Sequence, residues 1–136
     1  MALAFETTRI IRLGHTDAAR RLYFARQLDL VHEAYEDWLA QEGCPLRGLV
    51  ESEGGGVPIV HAECDYTGQV FTGDAVTIGL SVEACSARSF TLAYVLRCEG
   101  RKVGAAKTVH VAIDASTGRS GPLPAALAAI VRRHLD

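Results

Sequence analysis

The chain has 136 residues, of which 49% are hydrophobic and 22% are charged, as in one ordinary globular domain. Its 14 basic and 16 acidic residues nearly cancel, which argues against a nucleic-acid-binding protein, because such a protein needs a basic excess to neutralise phosphates. The N-terminal residues lack the basic region and apolar run of a signal peptide, and no apolar stretch is long enough to span a membrane. We therefore expect a single domain over residues 1–136.

The cysteine and histidine spacings do not predict a metal site. The four cysteines form no C-x-x-C pair, and the histidines show neither H-x-x-x-H nor H-E-x-x-H spacing. Unpaired cysteines in strand-like segments are typical of a reduced protein, so we expect a cytoplasmic location. The Gly54-Gly55-Gly56 triplet precedes a strand and lacks the Lys-Ser/Thr of a phosphate-binding loop, and no G-x-S-x-G nucleophile motif is present.

The predicted elements follow the order strand, helix, four strands, helix. Residues 5–13 are rich in β-branched side chains and predict a first strand, and residues 14–19 predict a loop. Helical periodicity over residues 27–41 then predicts a long helix, which Gly43 and Pro45 should end. The apolar side of this helix is formed by Leu28, Val31, Tyr35, Trp38 and Leu39.

Four strand-like segments follow a connector predicted at residues 46–56. They cover residues 57–67, 74–84, 90–96 and 103–113, with a hairpin turn at Glu99-Gly100-Arg101. In the last of them, the apolar residues at alternate positions predict the side that faces the core: Val103, Ala105, Val109, Val111 and Ile113. Pro124 should precede a short helix over residues 125–135. The order predicts an α+β domain, in which a five-stranded antiparallel sheet packs on one long helix.

Several polar residues admit both a structural and a functional interpretation. His61 and His110 lie on strands, where a hydrogen-bonded structural role is the more common one. The charged side of the long helix, with His32 and Glu36 at i, i+4, is either solvated or carries a general base beside a cleft. Asp17 in the loop before the helix is by itself no more than a candidate turn residue.

The loop and helix together resemble a known family. The family pattern is an aspartate loop D-x-x-G-x-V-Y/W-F/Y, then a long helix, then a strand and a loop ending Gly-Asp. The chain matches it with Thr16-Asp17-Ala18-Ala19, Leu22-Tyr23-Phe24, His32-Glu33-Ala34-Tyr35-Glu36, Thr72-Gly73-Asp74, Arg88-Ser89-Phe90, Thr108-Val109-His110-Val111 and Pro122-Leu123-Pro124. It resembles the 4-hydroxybenzoyl-CoA thioesterase branch of the hot-dog superfamily. Residues 31–39 are most similar to the 1,4-dihydroxy-2-naphthoyl-CoA thioesterases of the menaquinone and phylloquinone pathways.

The resemblance implies a hot-dog fold and hydrolysis of an aromatic acyl-CoA. Asp17 would act as nucleophile or general base, and a backbone N–H at Phe24, beside Tyr23, would hold the oxyanion. Arg88 and Ser89 would contact the nucleotide of CoA. Further substrate contacts are expected from His32, Glu33 and His61.

The resemblance also implies a homo-oligomer, either a dimer or a tetramer, with the active site at a subunit interface. No cofactor is expected, since coenzyme A is part of the substrate. Three alternatives stay open: hydrolysis of short aliphatic acyl-CoA, hydrolysis of acyl groups on a carrier protein, and a non-catalytic acyl-CoA-binding protein.

Two departures from the family pattern bear on the loop. Arg20 replaces the glycine of the aspartate loop, and Gln69 replaces a proline before Gly73-Asp74. If the glycine position has positive φ, Arg20 would carry a strain of about 1 kcal/mol or more. Arg20 and Arg21 are either contacts to an anionic substrate or solvated side chains.

Overall fold

The computed structural model describes residues 2–51 and 56–135, so most of the predicted glycine triplet, Gly54 and Gly55, lies outside the described residues. The regular elements, in chain order, are β1 (Phe5–Ile10), α1 (Arg26–Gln41), α2 (Leu46–Glu51), β2 (Ile59–Tyr66), β3 (Ala75–Cys85), β4 (Ser89–Cys98), β5 (Arg101–Val111) and α3 (Ala125–His134), with a short 3₁₀ turn at Leu13–His15. No helix in these ranges is long and apolar enough to cross a membrane.

The five strands form one antiparallel sheet in the order β1-β3-β4-β5-β2. The β4–β5 hairpin turns at Glu99 and Gly100, whose φ angles of 52° and 79° match the primed turns that suit a right-twisted hairpin. β1 and β2 are the two edge strands. The predicted hot-dog architecture is confirmed, with α1 as the long helix enclosed by the sheet.

The core lies between α1 and the inner face of the sheet. Helix residues at i, i+3 and i+4 spacings, such as Val31, Tyr35 and Trp38, are at most 2% exposed, and the alternate residues of β3 from Val76 to Val82 are equally buried. Each fully buried aliphatic side chain of this kind stabilises the fold by about 1.5–3 kcal/mol. The charged side of α1 faces away from this core.

The predicted core side of β5 was wrong except at Val103, which is 3% exposed. The register pairs Leu92 with Thr108 and Phe90 with His110, so Thr108 and His110 face inward, and Val109 lies on the outer side of the sheet. His110 tolerates burial because its Nε2 bonds the Thr108 hydroxyl at 2.8 Å and its ring stacks on Phe90. Burial and the neighbouring His32 lower the pKa of His110 to about 3, so it stays neutral. The structural interpretation of His110 agrees with these contacts.

Two element boundaries also differ from prediction. The predicted connector contains α2, which forms because Leu49 packs into the core with 8% exposure and Arg47 pairs with Glu51 one turn on. The first strand ends at Ile10, three residues early. Ile11 there pairs its N–H with the Asp74 carbonyl, outside the strand ladder, and the chain turns toward α1.

Candidate active site

Asp17 closes a tight loop between β1 and α1. Its Oδ1 accepts the backbone N–H groups of Ala19 at 2.9 Å and of Arg21 at 3.3 Å, and its own N–H donates to the Arg21 carbonyl at 2.9 Å. No described residue donates a hydrogen bond to Oδ2. The loop therefore fixes the carboxylate through one oxygen and leaves the other free for chemistry.

The loop is held in place by the segment that leads into β3. Leu22 N–H donates to the Val70 carbonyl at 2.8 Å, and Thr72 N–H donates to the Arg20 carbonyl at 3.2 Å. Asp74 in turn ties this segment together by accepting the Phe71 N–H at 2.9 Å. The segment that ends in the Gly73-Asp74 motif thus holds the aspartate loop in place through hydrogen bonds.

Arg20, which stands at the family's glycine position, has a φ of +64°. This left-handed conformation costs an ordinary L residue about 1–2 kcal/mol, because its Cβ approaches the following carbonyl. The loop keeps the geometry that a glycine would allow, and Arg20 carries the strain.

We therefore expect Arg20→Gly to raise the free energy of unfolding by about 1 kcal/mol, measured by urea denaturation. The matched control is Ala19→Gly at a negative-φ position, which should lower it by about 0.4–1 kcal/mol through the unfolded state. If both variants are destabilised equally, the strain assigned to Arg20 is wrong.

A cavity of about 330 Å³ opens beside Asp17. Aliphatic and aromatic side chains form much of its wall, with a few polar groups among them. It is lined by Asp17, Arg21, Leu22, Tyr23, Phe24, Gln27, Tyr66, Gly68, Gln69, Val70 and Val103. Pockets of this size and character are typical of sites for small ligands with an apolar part.

The N-terminus of α1 points free donors at this cavity region. Phe24 lies two residues before the helix, and its N–H has no hydrogen-bond partner within residues 2–51 and 56–135. Ala25, the N-cap residue, makes no side-chain cap. Free N–H groups and the helix dipole both favour negative charge at this position. The loop places a free carboxylate oxygen and a free N–H donor at one cavity.

His32 and Glu33 line a different concavity. This second cavity, of about 430 Å³, lies between the 3₁₀ turn and the exposed side of α1, and it also contains Arg26 and Asp29. Its charges are paired locally: Arg26 with Asp29 at 3.0 Å, His32 with Glu36 at 3.1 Å. Within one chain, His32 and Glu33 do not meet Asp17. The described residues contain no group of three or more His, Cys, Asp or Glu that would hold a metal ion.

Arg88 and Ser89 lie at the opposite end of the sheet from Asp17. Ser89 pairs with Val111 and Tyr66 pairs with Gly104, so about 23 Å of strand β5 separates the two ends. The Arg88 guanidinium donates to the carbonyl and hydroxyl of Ser120, both at 3.2 Å.

His61 also lies apart from the Asp17 cavity. It pairs with Val109, a residue on the outer side of the sheet, and is exposed. Its Nε2 lies 3.2 Å from Oε1 of Glu63.

Two contacts made by cavity residues carried little signal in the sequence. Gln27 is 2% exposed, and its Nε2 donates to the carbonyls of Asp65 and Ala105, both at 3.1 Å. The sequence feature that could have indicated this role is a glutamine on the apolar side of the first turn of α1. Arg21 stands over the Phe71 ring at 5.6 Å from its centroid, a contact that joins two loops distant in the chain.

A sheet that wraps one long helix, with a loop carboxylate beside the N-terminus of that helix, defines a hot-dog-fold thioesterase. The sequence pattern of the thioesterase-like superfamily matches residues 11–131, and the chain belongs to this family. It is 38% identical over 121 residues to the 1,4-dihydroxy-2-naphthoyl-CoA hydrolase of Synechococcus elongatus. The aligned region covers 88% of this chain and 89% of that protein.

Solved structures agree with this placement. A 1,4-dihydroxy-2-naphthoyl-CoA thioesterase of Synechocystis superposes with a TM-score of 0.90 at 29% identity, covering 94% of this chain and 95% of that one. A Staphylococcus aureus protein solved in complex with CoA has a TM-score of 0.87, covering 96% of this chain and 82% of that one; at 15% identity it shares the fold alone.

Proposed function

We propose that the protein hydrolyses an aromatic acyl-CoA, with 1,4-dihydroxy-2-naphthoyl-CoA as the substrate, to the free acid and CoA. The observation that carries this proposal is the free Oδ2 of Asp17 at the same cavity as the unpaired N–H of Phe24. The names of the similar proteins support the choice of the 1,4-dihydroxy-2-naphthoyl group as the acyl group. This reaction would place the protein in menaquinone or phylloquinone biosynthesis.

The chemistry follows from these two groups. Asp17 either attacks the thioester carbonyl carbon to give a mixed anhydride, or removes a proton from a water molecule that attacks it. In both cases the carbonyl oxygen becomes an oxyanion, which the Phe24 N–H stabilises, and the C–S bond then breaks to release CoA. In the first route a water molecule then hydrolyses the anhydride, which releases the acid and restores the Asp17 carboxylate. One donor of this kind contributes about 10²–10³ in kcat, and a positioned base about 10²–10⁴.

We propose that the working form is a homodimer joined through β2. This edge strand has both faces uncovered: of its eight residues only Cys64 is not exposed, and Ile59 and Val60 are 39% and 59% exposed. An exposed edge offers a row of unpaired backbone donors and acceptors to a second strand. A two-fold axis through the middle of β2 would pair it antiparallel with its copy and extend the sheet.

This pairing would complete the site. Because the strand reverses across the axis, the Ile59 end of one copy would lie beside the Tyr66 end of the other. Arg88 and Ser89, which lie at the Ile59 end, would then approach the Asp17 cavity of the second copy. Arg88 is suited to the phosphates of CoA, since a guanidinium binds phosphate oxygens in pairs. We further propose that two such dimers form the tetramer that the resemblance implies.

The second candidate is a thioester carried on an acyl carrier protein. Arg20 and Arg21 lie on the aspartate loop, and Arg101 donates to the carbonyl of the cavity residue Gln69 at 3.3 Å. None of the three forms an ion pair with a residue in the described ranges. Unpaired arginines around a cavity mouth suit an acidic protein surface as well as CoA phosphates.

We propose a cytoplasmic location. Cys44, Cys64, Cys85 and Cys98 are free thiols, a state that a reducing compartment maintains.

An internal competition tests the substrate. An equimolar mixture of 1,4-dihydroxy-2-naphthoyl-CoA, benzoyl-CoA and butyryl-CoA is incubated with the protein. The consumption of each thioester is followed by mass spectrometry. We expect the naphthoyl thioester to be consumed first, at a relative kcat/KM at least about tenfold above the others. Preference for butyryl-CoA would contradict the aromatic assignment. Faster turnover of acyl carrier protein loaded with the same acyl group would favour the second candidate.

A further inference from the structure

The residue Tyr66 connects the edge strand to the turn that carries the candidate oxyanion donor. Tyr66 is the last residue of β2, and its hydroxyl donates to the carbonyl of Phe24 at 2.8 Å. Its ring lines the same cavity as Asp17, and the residue is 50% exposed. A half-exposed tyrosine adds little to the core, so its hydrogen bond is its main structural contact.

This hydrogen bond fixes the orientation of the Phe24 N–H. The peptide group before Phe24, which carries the Phe24 N–H, is anchored because its Tyr23 carbonyl accepts the Arg26 N–H at 2.9 Å. The peptide group after Phe24 is anchored by Tyr66 through the Phe24 carbonyl. With both neighbouring peptide planes held, the φ and ψ angles of Phe24 are restrained, and its N–H keeps one direction.

Gln27 reinforces the same end of β2. Its Nε2 bridges the carbonyls of Asp65 and Ala105, so the first turn of α1 is tied to both β2 and β5. Its carboxamide fills the space over Gly104, where a Cβ would come within 2.6 Å of Oε1. The helix backbone is thus fixed by Gln27, and Tyr66 is left to orient the turn that precedes the helix.

We propose that Tyr66 is a positioning residue for thioester hydrolysis, which acts by holding the Phe24 N–H at the place where the oxyanion forms. This inference rests on the proposed function. Burial of the hydroxyl and the neighbouring Cys64 raise the pKa of Tyr66 to about 12, so the hydroxyl remains a donor at neutral pH. An oxyanion donor acts only when it is aimed at the developing charge, because a misdirected dipole must reorganise during the reaction.

The test is Tyr66→Phe, assayed by CoA release from the aromatic substrate. We expect kcat to fall about tenfold and KM to stay within about twofold, because the donor stabilises the oxyanion of the transition state much more than the carbonyl of the bound substrate. The thermal midpoint and the elution volume should match the native protein. The matched control is Thr67→Val, the next residue, whose hydroxyl bonds the Lys102 carbonyl at 3.4 Å outside the cavity; its kcat should be unchanged.

A spectroscopic readout separates positioning from general stability. In the slow Asp17→Asn background the bound thioester persists, and its carbonyl stretching band can be recorded by infrared difference spectroscopy. We expect the band to lie below that of the free thioester, and to return toward the free frequency when Tyr66→Phe is added. An unchanged band, an unchanged kcat, or a loss confined to KM would each overturn the inference. A native protein that releases no CoA would overturn the proposed function and this inference together.

Discussion

Replacing Asp17 with asparagine is expected to lower kcat for acyl-CoA hydrolysis by about 10²–10⁴. The side-chain oxygen of asparagine still accepts the N–H groups of Ala19 and Arg21, so the loop should keep its shape. What is lost is the free, negatively charged Oδ2, which neither attacks a thioester nor accepts a proton once it becomes an amide. KM should change little, and steady-state CoA release measures both constants.

Asp114 supplies the matched control for this substitution. It makes the same kind of turn, accepting the Ser116 N–H at 2.8 Å, but lies outside the cavity. Asp114→Asn should keep native kcat. If Asp17→Asn is as active as Asp114→Asn, Asp17 is not the catalytic carboxylate, and Glu33 or Glu36 becomes the acid to test.

A single turnover tests whether Asp17 forms the anhydride. With enzyme in excess and water enriched in the heavy oxygen isotope, a mixed anhydride that water attacks at the Asp17 carbonyl would leave label in the Asp17 peptide, detected by mass spectrometry. Label found only in the released acid would match a general base, or an anhydride that water attacks at the acyl carbon.

Replacing Val60 with glutamate is expected to dissociate the dimer and to lower kcat/KM by about 10². Val60 is 59% exposed on the edge strand, so a single subunit should fold normally with a carboxylate there. In the proposed dimer the same carboxylate would be buried between two β2 strands, where an unpaired charge costs several kcal/mol. The monomer would lack the Arg88 and Ser89 that the second copy supplies.

The other edge strand provides the control. Thr8 is exposed on β1, and Thr8→Glu should leave both the dimer and the activity intact. Analytical ultracentrifugation and steady-state kinetics at equal protein concentration check both variants. A Val60→Glu protein that stays dimeric would contradict pairing through β2, and a fully active monomer would contradict the composite site.

The aspartate loop was predictable because its information is contiguous in the chain. Asp17, Tyr23 and Phe24 fall within eight consecutive residues, and the positive φ of Arg20 is a conformation that the family's glycine would adopt without strain. The alternating apolar residues of β3 and the helical periodicity of α1 were equally predictable from the sequence, since each depends on the spacing of nearby residues. The order of these elements predicted the α+β domain, and the family resemblance implied the hot-dog fold.

The rest depends on contacts between distant segments. Tyr66 contacts Phe24, and Gln27 contacts Ala105, only after β2 and β5 have paired. Neither contact corresponds to a regular spacing of residues that the sequence would reveal. The inner face of β5 was wrongly predicted for the same reason. Thr108 and His110 are held in the core by contacts that single-strand periodicity does not reveal: the Thr108 hydroxyl bonds the Tyr94 hydroxyl and the His110 Nε2, and the His110 ring stacks on Phe90.

The central claim is that this chain is a thioesterase for an aromatic acyl-CoA, and one rate measures it most directly. Purified protein is mixed with 1,4-dihydroxy-2-naphthoyl-CoA, and the initial rate of thiol release is followed against an Asp17→Asn blank. The structure predicts a kcat/KM of at least about 10⁴ M⁻¹ s⁻¹, the lower end of the range for natural enzyme–substrate pairs, with the acid and CoA formed in equal amounts. A folded, dimeric protein that releases thiol no faster than the blank would contradict it.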